Sequence, residues 1–599
     1  MVVFFMEIEN TSKLTVSKPK SVFQKPLKAD FKAIFKALSK GIGHTVVGKW
    51  EELANDSVEA LSAIGLTTEI EELTFLLIRR SITKALFELV SESASGFLAT
   101  TKKEDTKDLI EQLDYAILIK KTSIDKQFLD RPSELLLIKD LQKLLQRWLE
   151  KNGIAMRTAK TIASRYPTYF VYALNKEWRN NSQSYRPILE ALDGPFSRAS
   201  EREWGWAAYS ALLQHRTQES IFDEPFSLEQ IFVPLNSYYW EDTSSEFSAD
   251  DRNNIKGKRR RVVVSLEKEL KEWLDKSTQS DVIRVISGGP GSGKSSFARI
   301  FAAKLAKEEK LKVLFIPLHL IDATKDLVDE IGRFVRDEGM LIENPLNPES
   351  PESNLLIIFD GLDELDSQGK GAAEAARAFV REVERTLEKR NARSIMLRVL
   401  FSGRELIVQE NEIEFRRPHQ ILTLLPYFIQ DDGERKKYYD PEKLLNIDLR
   451  DRWWGKYGAL IGKKYEGMPK ELKRKDLDEI TSQPLLNYLI ALSLTRKKLD
   501  FKSNINLNSI YADLVAAVHE RGYENHRVYA PIRHVKLEEF SRVLEEIGLA
   551  AWHGDGRTTT VREVEEHCRN SGLGGLLETF QEGAKAGVTR LLAAFFFRR

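Results

Sequence analysis

The spacing of apolar side chains divides the chain into three regimes. Up to residue 235 the period is helical. Phe31, Ile34, Phe35 and Leu38 recur at helix spacing, as do Trp50, Leu53, Val58, Leu61 and Ile64 before Gly65. Residues 73–90 form a third such segment, with Ile78, Ile82 and Leu86 inward. Leu137, Leu141, Leu144, Leu145 and Trp148 line a fourth, which Ser133 is placed to cap and Gly153 to end. A further helix carries Trp206, Tyr209 and Leu212, and an extended apolar piece, 231–235, follows it. From residue 282 the pattern switches to short, mostly apolar runs at 282–286, 313–318, 354–360, 395–402 and 420–425. Helical stripes separate or precede them, at 266–274 behind Ser265 and at 296–307, 324–336 and 372–390. Such alternation predicts an α/β fold with a parallel sheet, whose site lies at the carboxyl ends of the strands. Beyond residue 430 the pattern is helical again. One helix has Pro484 in its first turn, and others are expected at 537–547, at 560–569 and near 576–580.

A chain of 599 residues exceeds what one hydrophobic core organises, so several domains are expected. The pattern places them at 1–95 (helical), 96–235 (helical), 236–265 (linker), 266–430 (nucleotide domain), 431–535 (helical) and 536–599. The linker is polar and acidic at first, then basic over 256–261, and reads as a solvated loop. With 91 basic and 90 acidic residues the net charge is +1, which argues against a whole-chain polyanion binder; nucleic acid is not indicated as a partner. The single cysteine, Cys568, excludes an intrachain disulfide, reads as a structural thiol and fits a reducing, cytoplasmic setting. No apolar stretch reaches membrane-spanning length.

The chemistry concentrates in one stretch: Gly288, Gly289, Pro290, Gly291, Ser292, Gly293, Lys294 and Ser295. It follows an apolar strand and, with Ser296, opens a helix, which is the setting of a phosphate-binding P-loop. Its glycines let backbone N–H groups converge on phosphate, and the helix adds its positive end. Lys294 would reach the β- and γ-phosphates and Ser295 would hold Mg²⁺. Asp360 ends a buried strand and would also hold Mg²⁺; Asp363 and Glu364, just after it, would orient or deprotonate an attacking water. Arg404 ends the next strand, where it can point at the γ-phosphate.

These three motifs in this order resemble the NACHT domain of the STAND branch of P-loop ATPases, which includes animal NLR receptors and bacterial defence proteins. Gly361, the small residue after Asp360, is the family's mark. The segment from Ser482 to Leu486 resembles a helical-domain motif whose proline, here Pro484, packs near the adenine; residue 482 is glycine in the family's usual pattern. The resemblance implies ATP and ADP with Mg²⁺ as ligands, and a closed ADP form that assembles into a homo-oligomer after exchange for ATP. It implies a trigger that in bacteria is often a phage component. It also implies a winged helix over 536–599, and the closing apolar run at 588–597 reads as a domain stopped short. The expected function is an ATP-dependent signalling switch with slow, regulated hydrolysis. The alternatives are a nucleotide-binding scaffold with negligible hydrolysis and a DNA-linked P-loop ATPase.

All three alternatives need the same lysine. Lys294→Ala is expected to abolish ATP binding in a calorimetric titration; retained affinity would remove the P-loop assignment.

Overall fold

The structure, a computed structural model, describes residues 14–16, 70–93, 122–124, 132–193, 198–221, 224–242, 259–347, 352–365, 372–415, 417, 419–496, 509–510, 512–513, 515–516, 536–553 and 561–573. The chain divides into two compact units, Met1–Pro469 with Ser482–Pro484, and Lys470–Thr481 with Leu485–Arg599.

The first unit begins with helices α1 (Ile70–Ser93), α2 (Leu136–Lys151), α3 (Met156–Asn180), α4 (Ser182–Asp193) and α5 (Arg198–Gln218). Two of the apolar stripes read from the sequence converge on one core: Leu77, Ile82 and Leu86 of α1 share it with Leu141 and Leu145 of α2 and Tyr166 and Phe170 of α3, while the stripes at 31–38 and 50–64 lie outside the described residues. The expected division between 1–95 and 96–235 therefore runs through a single core and is not a domain boundary. Ser133 does not cap α2. It lies in a 3₁₀ turn, Pro132–Glu134, and Leu135 occupies the cap position without a side-chain bond. Gly153 does follow the end of the helix, with φ of +88°. Deep in this core, the carboxylate of Glu177 accepts from Arg80 Nη1 (3.1 Å), Lys84 Nζ (2.7 Å) and the Tyr185 hydroxyl (2.8 Å).

Among the described residues the strands form two sheets. β1 (Leu14–Val16) pairs antiparallel with β2 (Thr122–Ile124). The other eight are β3 (Asn236–Asp242), β4 (Arg259–Ser265), β5 (Ile283–Ser287), β6 (Lys312–Pro317), β7 (Leu355–Asp360), β8 (Leu397–Gly403), β9 (Ile421–Leu424) and β10 (Tyr438–Tyr439), in the order β10-β4-β3-β9-β5-β8-β7-β6. From β9 to β6 all pairing is parallel, as the alternation predicts. The stretch 236–265 is not simply a linker. β3 and β4 form an antiparallel pair that extends the sheet past β9, so the mostly parallel sheet starts before residue 266. The reason is that Tyr238, Tyr239, Val262 and Val263 are buried, while Glu241 and Arg259, Arg260 and Arg261 keep some exposure. Arg260 pairs with Glu241 at 2.5 Å and lies over the Tyr439 ring.

Helices α6 (Leu266–Lys276), α7 (Lys294–Glu308), α8 (Leu327–Glu338), α9 (Ala372–Arg390), α10 (Glu405–Glu410) and α11 (Leu449–Ile461) complete the unit. Ser265 sits at the cap position of α6 but makes no cap bond; Asp326 caps α8 through the N–H groups of Val328 and Asp329. α7, the helix after the P-loop, buries Phe297, Phe301 and Leu305 and packs against α5 and the sheet. α5 also covers the edge strand β6. The Tyr209 hydroxyl donates to the carbonyl of Phe315 at 3.1 Å and accepts from its N–H at 3.2 Å.

The second unit holds most of α12 (Pro484–Arg496), α13 (Leu537–His553) and α14 (Val561–Asn570); α13 and α14 pack together. The thiol of Cys568 is wholly buried; burial, with Glu546 adding to it, pushes its pKa up to about 11, which keeps it an inert packing group. α13 runs beyond the expected 537–547. The expected helix near 576–580 and the closing run at 588–597 lie outside the described residues. No helix among the described residues is long and apolar enough to cross a membrane.

The Glu177 cluster yields a prediction. Burial pushes its carboxyl up, but Lys84, Arg80 and Tyr185 outweigh this and leave its pKa below the usual value. A depressed carboxyl pKa stabilises the fold above the unfolded pKa, and that stability is lost as pH falls through the folded one. Glu177→Gln removes the anion that Arg80 and Lys84 share, so it is expected to cost about 3 kcal/mol and to flatten the acid dependence. Hydrogen exchange in α1 and α3 as a function of pH reads both effects; unchanged protection would contradict them.

Candidate nucleotide site

The loop 288–293 joins β5 to α7. β5 is buried at every position, which fixes the loop's first end. Gly291 and Gly293 take positive φ, +72° and +93°. Gly293 is required twice over, because a Cβ there would also lie 3.3 Å from Leu235 Cδ1 and 3.6 Å from Pro484 Cγ. Lys294 Nζ folds back to donate to the carbonyls of Gly288 (2.7 Å) and Gly289 (2.9 Å). α7 begins at Lys294, so the N–H groups of Lys294, Ser295 and Ser296 belong to its first turn and have no acceptor within the helix. Gly288 is buried, and Pro290 is exposed at the outer bend. The Ser292 hydroxyl oxygen is buried and makes no hydrogen bond to the described residues. A buried, unsatisfied hydroxyl in a glycine-rich loop that leads into a helix N-terminus fits a phosphate oxygen.

The other site residues come from neighbouring strands. β8 lies between β5 and β7. Register places Ser287 opposite Gly403, and Ser402 opposite Asp360, so three strands end at the same level. Adjacent strands lie about 4.8 Å apart, which puts the end of β7 about 10 Å across the sheet from the end of β5. That gap suits phosphate and a hydrated cation. Asp360 is buried, and its Oδ1 accepts from the Ser402 hydroxyl, which in turn accepts from the N–H of Gly361 at 3.1 Å.

The two acids that follow turn in opposite directions. Asp363 faces β8: its Oδ1 accepts from the N–H of Arg404 at 3.0 Å, and its Oδ2 lies 2.7 Å from Arg404 Nε. Glu364 faces β6: its Oε2 lies 3.0 Å from Nδ1 of His319. Arg404, expected to face phosphate, is thus ion-paired to Asp363, expected to act on water. The pairing of these two sequence-derived residues was not legible in the chain. Nor were Ser402 and His319 as partners of the acids, since only cross-strand register brings them there. Leu235 was readable only as part of an apolar extended piece. That piece is held by Leu266 N–H donating to the Leu235 carbonyl at 3.1 Å and by Lys456 Nζ donating to the Phe232 carbonyl at 2.6 Å.

Among the described residues no group of three or more His, Cys, Asp or Glu side chains is arranged to hold a metal ion unaided. Ser295 and Asp360 would instead share Mg²⁺ with phosphate oxygens and water, which is the coordination this ion favours.

Residues 283–407 match the family model for the NACHT domain, and residues 23–228 match the one for NACHT N-terminal helical domain 3. The second match spans 95/96, in keeping with the single helical core. No curated protein matches the chain.

The strained glycine gives the sharpest test of the loop. Gly293→Ala adds about 1–2 kcal/mol of left-handed strain, besides the contact with Leu235. ATP affinity is expected to fall by at least roughly tenfold while circular dichroism stays unchanged; an unaffected dissociation constant would show that the loop binds in another conformation.

Proposed function

Because this chain carries a NACHT domain, a P-loop NTPase of the STAND kind, we propose that it is an ATP-dependent signalling switch. It exchanges ADP for ATP, hydrolyses ATP slowly, and passes its state on by assembling with further copies of itself. Bacterial defence against phage, with a phage component as trigger, is the setting we propose for it. The observation that carries the reading is the level ending of β5, β8 and β7, with Lys294, Asp360, Asp363, Glu364 and Arg404 on or just beyond those ends.

In this reading the loop N–H groups and Lys294 hold the β- and γ-phosphates, and Lys294 leaves the carbonyls of Gly288 and Gly289 to do so. Mg²⁺, held by Ser295 and Asp360, supplies charge neutralisation at the phosphates when bound. Ser402 fixes the Asp360 carboxylate. Glu364 accepts a proton from the attacking water. Arg404 senses the γ-phosphate by exchanging its Asp363 partner for it, one anion for another. Leu235 and Pro484, which both lie against the side of Gly293 where a Cβ would project, give the loop an apolar border suited to a nucleobase.

A second reading, the scaffold that binds but hardly hydrolyses, is favoured by one feature: Glu364 and Arg404 both already have partners in the protein. Turnover and assembly separate the two. Wild type is expected to hydrolyse ATP over multiple turnovers. Glu364→Gln should bind ATP but turn over at least roughly 100-fold more slowly. It should also accumulate the assembled form in ATP and not in ADP, as read by mass photometry. Assembly in ATP without wild-type turnover would favour the scaffold. Identical particle sizes in ATP and ADP would sink the switch.

A further inference from the structure

Glu364 stands out because its carboxylate is turned away from the place where it would be used. It lies in a 3₁₀ turn, Leu362–Glu364, directly after β7. Its side chain is only 5% exposed. It curls back over Gly361: a Cβ built on that glycine would lie 2.7 Å from Glu364 Cδ and 3.0 Å from its Cγ. Gly361 also takes φ of +93°. The absence of a side chain at 361 is therefore what makes room for the curled carboxylate.

The direction of the curl follows from the strand order. The P-loop lies at the end of β5, two strands from β7 on one side, and β6 borders β7 on the other. His319 sits in the 3₁₀ turn that follows β6, Leu318–Leu320, and its Nδ1 meets Glu364 Oε2 at 3.0 Å. The neighbouring acid, Asp363, turns the other way to Arg404. One of the two acids faces the phosphate side of the sheet, and the other is drawn to the far side. The imidazole is half-exposed, so it can turn into solvent without opening the core.

We propose that His319 is a positioning residue: it parks the Glu364 carboxylate toward β6, away from the phosphate-binding loop, and hydrolysis requires this contact to break. The inference rests on the reading of Glu364 as the base that takes the proton from water. No bond is made or broken in the parking step; one hydrogen bond is exchanged for solvent on the imidazole and for water at the carboxylate.

The test compares wild type with His319→Ala and His319→Asn. Removing one such hydrogen bond is expected to raise the multiple-turnover rate of His319→Ala roughly 5- to 10-fold, with ATP affinity unchanged. His319→Asn places an amide nitrogen near the position of Nδ1 and should stay within roughly twofold of wild type. A His319→Ala rate at or below wild type, or an Asn variant as fast as the Ala variant, overturns the proposal. A second arm needs no hydrolysis. In nucleotide-free protein the imidazole resonance of His319 should move on Glu364→Gln, and an unmoved resonance also overturns the proposal. If wild type binds ATP but never turns it over, the hydrolytic reading fails, and the resonance alone decides whether His319 holds Glu364.

Discussion

Parallel strands that end at one level leave a row of backbone groups and side chains that face no further strand. In this protein the row is set by β5, β8 and β7, and their register lets a one-residue offset pair Ser287 with Gly403 and Ser402 with Asp360. Every polar group of the nucleotide site depends on that alignment. A slip of one residue would turn Asp360 to the opposite face of the sheet and leave Ser402 without its acceptor. The buried apolar runs of these strands hold the register, since any slip would also bring Arg398, the one charged residue within β8, into the core positions of its neighbours.

What the sequence made legible follows from how local each feature is. The P-loop, the acids after β7 and the arginine after β8 each lie in one short stretch bounded by an apolar run. Their place at the strand ends could be read from the alternation alone. His319 and Leu235 belong to the site only because distant segments meet, and the same holds for the hold of Ser402 on Asp360, so no local pattern marks these contacts. The stretch 236–265 misleads for a different reason. Its charges are those of a loop, yet β3 and β4 need only a few buried residues each to pair, and their arginines find Glu241 and aromatic rings at the margin. The boundary at 95/96 fails because helix periodicity tells which face is apolar but not which other helix covers it.

The N-terminal helices and the nucleotide domain share one unit because their contact is specific as well as apolar. Glu352, at the start of the segment leading into β7, accepts from the Trp206 indole at 2.8 Å and pairs with Arg202 and with Lys312 at 3.0 Å. Burial pushes its carboxyl up, but Trp206, Lys312 and Arg202 together hold it below the usual range. A buried charge shared among three donors tolerates little displacement. α5 is thereby tied to β6 and to the approach of β7, whose far ends carry His319 and Asp360.

The Tyr209 hydroxyl on Phe315 has a consequence for how the sheet terminates. A bare edge strand is a template on which another chain can add a strand. Here a single phenol occupies both the donor and the acceptor of one edge residue, and the helix that carries it lies along β6. At the opposite margin β10 is two residues long, with Arg260 and Arg261 stacked over its tyrosines. The sheet is thus capped at one border and cut short at the other. A strand from another chain adding at β6 would have to displace that phenol, so Tyr209 guards this border of the sheet with one side chain.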